Sequence, residues 1–160
     1  MRHFTSSVVA SLAVSICMTT GIASAADSPM ALFPNPAALK WSPAPPMVPK
    51  GAQISILSGD PTKAGPFIIR LKLPANYAIP AHHHPTTENV TVLSGTLYAG
   101  MGDKLDRSAS KPFAAGGFAG MPAEMNHFAW TKAPAVIQVE AEGLFTFTYA
   151  NPADDPSKAH

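Results

Sequence analysis

Charge and cysteine are both scarce in this sequence. Of its 160 residues 13% are charged, as 11 Lys or Arg and 10 Asp or Glu, and only Cys17 carries a thiol. The near balance of charge argues against a nucleic-acid partner and against an anionic membrane surface, because both require a basic face. A single cysteine excludes an intrachain disulfide and a metal site built from several thiolates.

Sustained helical periodicity is also missing, with at most one helical turn predicted over Lys104–Ser110. Hydrophobic residues make up 46% of the chain, alongside 11 Gly and 17 Pro. That content is ample for one buried core and argues against disorder, and the length is typical of one domain. Runs of Val, Thr, Ile, Phe and Tyr between Gly and Pro predict an all-β domain of many short strands.

The N-terminus has the composition of an export signal. Arg2 precedes an uncharged apolar stretch, Val8 to Met18, which is followed by the small residues Ala23-Ser24-Ala25. This order predicts a secretory signal peptide over residues 1–25 and a periplasmic or secreted protein. The alternative, a membrane anchor, is disfavoured because the stretch is too short for a bilayer of about 30 Å. Removal of the peptide takes away Cys17 and leaves ten basic and ten acidic residues.

A proline-rich arm follows over residues 26–50. It holds seven prolines, and proline lacks the backbone donor that a sheet requires, so an extended arm rather than a barrel strand is predicted. The apolar side chains interspersed in the arm are Leu32, Phe33, Leu39, Trp41 and Met47. Because free linkers are rarely so apolar, we expect the arm to pack on the domain or on a neighbouring subunit. A flexible linker is the alternative.

The main domain is predicted over residues 51–150, with a loose polar tail over residues 151–160. Turn signals rich in Gly, Pro, Asn and Asp divide the domain into short apolar segments. The predicted strands are Gln53–Leu57, Phe67–Leu73, Ala78–His84, Asn89–Ser94, Thr96–Met101, Phe118–Met121, Met125–Thr131, Ala135–Ala141 and Leu144–Tyr149. Strands this short and this evenly spaced indicate a jelly roll or a barrel.

Three consecutive histidines stand at the end of one predicted strand. Alternate side chains of a strand share a face, so His82 and His84 point the same way and His83 points the opposite way. Pro85 restrains His84 to an extended conformation. Taken alone, the run is equally compatible with a solvated surface segment or an adventitious metal-binding patch.

Glu88 opens the next predicted strand. When Glu88 faces inward, Val90 and Val92 also face inward, so the apolar pattern places a carboxylate on the core face. An isolated carboxylate is costly there, and a cation removes that cost. Two imidazoles and a carboxylate that converge on one point are ligands suited to a divalent metal.

Two stretches of the domain, residues 82–95 and 116–127, together resemble the paired motifs of the cupin superfamily. The matching residues are His82-x-His84-x-x-x-Glu88 with Gly95 after six more residues, and Gly116, five residues, Pro122-x-Glu124-x-x-His127. The resemblance covers about residues 51–149 and is similar in kind to the small single-domain ChrR-like cupins. It implies a double-stranded β-helix, which is a jelly-roll barrel.

Three positions depart from the cupin pattern. Asn76 stands where the first motif usually opens with Gly, and Asn tolerates the left-handed backbone that such a turn needs. Glu124 and Thr131 stand where the second motif usually has Gly and Asn. Glu124 lies in the turn before His127 and is a candidate to line the mouth of the pocket.

The resemblance implies that His82, His84, Glu88 and His127 bind one divalent transition metal. Three nitrogens and one oxygen fill four positions, and an octahedral ion keeps two more for water, dioxygen or substrate. This set suits Fe, Mn, Ni or Co, whereas a closed tetrahedral site suits Zn. The sequence does not select among these ions.

The remainder of the pocket is expected to be apolar. The residues predicted to face inward beside His127 are Met125, Ala129 and Thr131. Further candidates, each more often simple core, are Tyr77, Tyr98, Met101, Phe113 and Tyr149. An open metal site in an apolar barrel suits redox or Lewis-acid chemistry on a small molecule.

The sequence therefore predicts a metal-dependent enzyme of the oxygenase type that acts on a diketone- or enol-like small molecule. Glu88 is the candidate catalytic base, and Glu124 is the second candidate. A cupin isomerase, lyase or decarboxylase and a non-catalytic binding or sensor module are the alternatives.

A homodimer is predicted because alternation places Phe128 and Trp130 on the outer face, where they would form an apolar patch.

Overall fold

A computed structural model describes residues 35–158. The predicted signal peptide, the first part of the arm with Leu32 and Phe33, and the last two residues of the tail lie outside this range. The strands of the described part are β1 (Ser42–Pro43), β2 (Gln53–Ser58), β3 (Gly65–Leu73), β4 (Ala78–His83), β5 (Glu88–Ser94), β6 (Thr96–Met101), β7 (Lys111–Ala114), β8 (Phe118–Met121), β9 (His127–Trp130), β10 (Ala135–Gly143) and β11 (Thr148–Tyr149). Between residues 35 and 158, no helix is long and apolar enough to cross a membrane.

The strands form two antiparallel sheets. One has six strands in the order β1-β2-β3-β10-β5-β8, and the other has five in the order β11-β4-β9-β6-β7. Alternation along β3 places Phe67, Ile69 and Leu71 in the core between the sheets, because successive side chains of a strand face opposite sides. The all-β prediction is confirmed.

The strand β4 contains a bulge that sets the direction of its histidines. Ile79 pairs with Ala129, but His82 pairs with His127, so β4 carries one residue more than β9 between these two pairs. Ile79 is part of the core, and in a regular strand His82 would then face away from it. Bulges re-aim side chains in this way, and Pro80, which cannot donate to a ladder, lies at the irregularity.

Two segments differ from the strands predicted from sequence. The strand β7 was not predicted. It contains Pro112, which suits an edge position, and it is the last strand of its sheet and pairs only with β6 among the described residues. The predicted strand over residues 144–149 is paired only at Thr148–Tyr149. Residues 104–110 form turns and no helix.

The described part of the proline-rich arm packs on the sheet of β2 and β3. Ser42 and Pro43 pair with β2 as a two-residue edge strand, a position that proline tolerates. The side chain of Lys72 lies over the ring of Trp41, 4.1 Å from its centroid. At the other terminus, the segment predicted to be a loose tail contains two short 3₁₀ turns, Pro152–Asp154 and Pro156–Lys158.

The outer face of β9 is covered within the chain. Phe128 and Trp130 are only 1% and 5% exposed, so the apolar patch expected from them does not exist. The indole Nε1 of Trp130 donates to Oγ of Ser110 at 3.0 Å, and the guanidinium of Arg107 lies 4.6 Å from the indole centroid. The loop before β7 therefore shields Trp130, and the predicted homodimer loses this support.

Candidate metal centre

Four predicted ligands come together at one end of the barrel interior. His82 lies near the end of β4, His84 follows that strand, and His127 begins the neighbouring strand β9. Glu88 begins β5 in the opposite sheet. Nitrogens of the three histidines lie within 4.8 Å of one another. The two sheets thus supply a cluster of three imidazoles and a carboxylate.

Main-chain carbonyls fix the orientation of each imidazole. Nδ1 of His82 donates to the carbonyl oxygen of Pro80 at 2.7 Å, and Nδ1 of His84 donates to that of Thr146 at 2.7 Å. Nδ1 of His127 likewise donates to a carbonyl oxygen, that of Met125, at 3.0 Å. Because a carbonyl can only accept, Nδ1 carries the proton, and in the neutral ring Nε2 is left with a lone pair. This is the arrangement that metal-ligating histidines adopt.

The Nε2 atoms of His84 and His127 are buried and have no hydrogen-bond partner. Oε2 of Glu88 is nearby, 3.7 Å from Nε2 of His84 and 3.2 Å from Nε2 of His127. A carboxylate and neutral imidazole nitrogens are all acceptors, so these groups do not satisfy one another. Buried polar groups are rarely left in that state, and a bound cation would satisfy all of them.

The protonation states favour the same conclusion. Burial, reinforced by the neighbouring His127 and His84, lowers the pKa of His82 to about 3, and burial also lowers the pKa of His84. At neutral pH His82 and His84 therefore carry no extra proton, so the lone pairs of their Nε2 atoms are free to bind a metal.

Two aromatic rings support the imidazoles from one side. Phe145 stacks on His84 with ring centroids 3.9 Å apart, and Phe147 stacks on His82 at 4.6 Å. Phe145 and Phe147 lie four and two residues before Tyr149, so alternation places all three on one face. Tyr149 is the only residue of this segment that was predicted to face the pocket. The period-2 pattern of Phe145, Phe147 and Tyr149 was the signal that would have identified the two rings from sequence.

His83, the histidine of the run whose side chain faces outward, belongs to a different cluster. Nδ1 of His83 lies 2.8 Å from Oδ1 of Asn126, and Nε2 of His83 lies 3.2 Å from a carboxylate oxygen of Glu124. Asn126 in turn donates to Asp103 at 2.8 Å. The Glu124 side chain is 66% exposed, so it lines the outer surface rather than the pocket mouth where the sequence placed it. Its backbone amide donates to the carbonyl of His84 at 2.8 Å.

A cavity of about 460 Å³ adjoins the cluster through His127. Its lining residues are Ala99, Gly100, Met101, Ala109, Lys111, Phe113, Ala119, Gly120, Met121 and His127. The volume is within the range of small-molecule sites, and the lining is apolar apart from His127 and Lys111. Sequence reasoning missed Lys111 because it did not identify β7.

The other predicted pocket residues lie at several different places in the fold. Met101 and Phe113 line the cavity, and Ala129 lies in the core. Tyr77 and Tyr149 anchor the arm, since their hydroxyls donate to the carbonyls of Pro49 and Met47, and the ring of Tyr149 also lies 5.8 Å from that of His82. The predicted inward facing of Met125 was wrong, since it is 50% exposed. Thr131 is buried as predicted, and its hydroxyl donates to the carbonyl of Pro74 at 2.7 Å. Tyr98 stacks on Trp130 with centroids 4.1 Å apart.

Comparison with known proteins yields structural matches alone. No protein-family model matches the sequence, and no curated protein matches it. The chain is similar to the polyketide cyclase RemF from Streptomyces resistomycificus, at a TM-score of 0.65 and 16% identity over 81% of this chain and 92% of that one. It is also similar to a putative acetylacetone dioxygenase from Methylibium petroleiphilum, at 0.58 and 18% over 75% and 81%.

A third match bears directly on the fold. An RmlC-like cupin from Shewanella frigidimarina superposes with a TM-score of 0.54 and 12% identity, over 70% of this chain and 91% of that one. At these identities the similarity establishes architecture. The two antiparallel sheets, the inward histidine cluster and these matches show that the protein has the cupin fold, a double-stranded β-helix.

Proposed function

We propose that this protein is a metal-dependent enzyme of the oxygenase type that acts on a small oxygen-rich molecule, with His82, His84, His127 and Glu88 as metal ligands. The observation that carries the proposal is the set of buried acceptors without donors: Nε2 of His84 and of His127 face the Glu88 carboxylate and have no hydrogen-bond partner. A divalent transition metal satisfies these atoms and supplies Lewis acidity or redox chemistry.

The reaction type is supported by the surroundings of the cluster and by the similar structures. The 460 Å³ cavity reaches His127 and offers few polar groups, which suits a small substrate with a short polar segment. A polyketide cyclase and a putative acetylacetone dioxygenase are among the structures with this fold. Both names refer to molecules rich in carbonyl groups, the same class as the diketone- or enol-like substrate predicted from the sequence.

The residues of the chain have separate tasks in this proposal. The carbonyls that hold each Nδ1 keep the imidazoles in one orientation, and Phe145 and Phe147 exclude water from the ring faces that they cover. Glu88 is the one carboxylate of the described residues within this cluster, so it is also the group positioned to accept a proton from a substrate.

Metal analysis and dioxygen uptake test the proposal. The protein is purified from its export compartment, its metals are quantified, and oxygen consumption is recorded with a panel of β-dicarbonyl and enol compounds. We expect about one metal per chain and uptake that is abolished by a chelator and restored by one ion. The His127→Ala variant should lose both, while His83→Ala on the outer face should retain both.

A metal-loaded wild type that is inactive with every compound and every ion would contradict the enzyme and favour a binding or sensor module. A wild type without metal would contradict the metal site itself.

Export is part of the same proposal. The intact mass of the exported protein should correspond to a chain that begins at Ala26. Sedimentation equilibrium tests the predicted homodimer, which a monomer at micromolar concentration would contradict.

A further inference from the structure

We infer that Lys111 is the anion-binding residue of the cavity and that the site takes small monocarboxylates, whose acidic group pairs with Lys111 while the remainder extends toward His127. This inference rests on the proposed function for the chemistry at the His127 end. It adds an acidic group to the proposed oxygen-rich substrate, a feature that neither the metal ligands nor the similar structures specify.

The register of the sheet places Lys111 on the inner face of the barrel. Lys111 pairs with Ala99, and Ala99 pairs with Ala129 on the next strand. Directly opposed residues of antiparallel strands share a face, and both alanines belong to the buried core. Lys111 is itself exposed, so the edge strand brings a solvent-accessible charge to the rim of an otherwise apolar cavity.

Four of the residues that line the cavity with Lys111 are small. Ala99, Ala109 and Ala119 line the cavity together with Gly100, and none of them fills the space that a Leu or Phe would occupy. Met101 and Phe113 contribute apolar surface on which the body of a small acid can pack.

Lys111 has no acidic partner of its own. Among residues 35–158, the lysine ammonium groups paired with a carboxylate within 4.0 Å are those of Lys63 and Lys158. Lys72 and Lys132 instead contact aromatic rings. An unpaired ammonium beside an apolar cavity has the chemistry that recognises a carboxylate.

The two polar ends of the cavity are separated by the length of a small molecule. His127 on β9 pairs with Met101 on β6. Lys111 on β7 pairs with Ala99, which lies two residues before Met101 on β6. Strand spacing and rise give roughly 12 Å between the Cα atoms of His127 and Lys111, and both side chains shorten this span. A keto or enol acid fits between them, with its carboxylate at Lys111 and its second oxygen at the metal-ligand end.

Calorimetric titration of metal-free protein tests the inference without any activity. The probes are benzoate and hexanoate, with benzamide and hexanamide as neutral controls of the same shape. In the wild type we expect each acid to bind about tenfold or more tightly than its amide, since a hydrogen bond to a charged group is lost in the amide. Lys111→Met should abolish this preference, and Lys111→Arg should retain it.

Two further variants separate the cavity from the protein surface. Lys104→Met removes an exposed charge of the neighbouring loop and should leave the preference unchanged. Ala119→Leu fills the cavity and should weaken the acids and the amides alike. Equal affinity of acid and amide in the wild type, or a preserved preference in Lys111→Met, would overturn the inference. Metal content is measured separately, so a failed metal site and a failed anion site give different results.

Discussion

The two faces of one histidine run differ in what their side chains contact. On the inner face, His82 and His84 are almost fully buried, each donates Nδ1–H to a main-chain carbonyl, and Nε2 of His84 has no partner. On the outer face, His83 is half-buried and meets the side chains of Asn126 and Glu124. The Nδ1 atoms of His82 and His84 are held by main-chain carbonyls that belong to the barrel itself. The ring nitrogens of His83 instead contact side chains whose place water can take.

This difference shows what distinguishes a ligand set from a run of similar residues. The outer cluster has its own donors and acceptors and requires nothing further. The inner cluster has imidazole Nε2 atoms and one carboxylate that are all acceptors, and a bound cation would satisfy them together. Predictions that compare the two faces therefore have large expected effects inside the barrel and small ones outside.

The largest effect is expected for the ligands themselves. His82→Ala should lower metal affinity more than 100-fold, because a lost ligand costs more than the 10- to 100-fold typical of its hydrogen-bond partners. His83→Ala is the matched control from the same strand and should bind metal like the wild type. Equilibrium dialysis followed by elemental analysis measures both. If the two variants lose metal equally, the facing of β4 has been assigned wrongly.

The next effect concerns the carboxylate of the inner cluster. Glu88→Gln keeps the side-chain shape but removes the charge and the basic oxygen, so turnover per bound metal should fall about 10²- to 10⁴-fold, the range of general-base catalysis. Glu124→Gln is the control on the outer face and should keep wild-type turnover. Unchanged turnover in Glu88→Gln would rule out its role as a base.

Acid should destabilise the metal-free protein through the inner histidines. His82 has a pKa of about 3 in the fold against 6.5 as the ordinary value, so the unfolded chain binds more protons between these values. The free energy of unfolding then falls as pH falls from 6.5 toward 3, by about 1.4 kcal/mol per pH unit from this group. Urea titrations at several pH values measure the slope, which should decrease in His82→Ala and not in His83→Ala. A slope equal in both variants would count against the buried, neutral His82.

A smaller effect is expected for the aromatic support of the cluster. Phe147→Ala removes the ring that stacks on His82 and meets His84 edge-on. The free energy of unfolding should fall by about 1–3 kcal/mol, since the ring is only partly buried. Phe118→Ala, at an exposed phenylalanine of β8, should change it by no more than about 0.5 kcal/mol. Similar losses in both variants would argue that Phe147 is not a support for His82.

The smallest effect is expected at Glu124. This residue has a left-handed backbone, with φ of 59°, a conformation that costs a side-chain-bearing residue about 1 kcal/mol or more relative to glycine. Glu124→Gly relieves that cost and keeps the amide bonded to His84, while it loses an exposed contact worth at most about 1 kcal/mol. Stability should change by less than about 1 kcal/mol and metal content should stay constant. A drop in metal content would show that the Glu124 side chain supports His84.

Local pattern was enough to predict the all-β fold class and the shared facing of His82, His84 and Glu88, whereas His127 joined the set through the resemblance to the cupin motifs. Alternation places Val90 and Val92 inward beside Glu88, and both are buried, because the period of a strand is set by its own backbone. Asn76 has the left-handed backbone expected for a position that is usually glycine, with φ of 56°. These features depend on residues that are close in sequence.

The tertiary structure decided what depends on pairing between distant residues. The bulge of β4 puts Ile79 and His82 on one face, and it exists only relative to β9. Strand β7, with Lys111 at an inward position, forms by pairing with β6. The loop before β7 shields Trp130 and thereby covers part of the apolar face that was predicted from sequence to be exposed. Register and coverage are set by contacts across the sheets, and no periodicity within one strand encodes them.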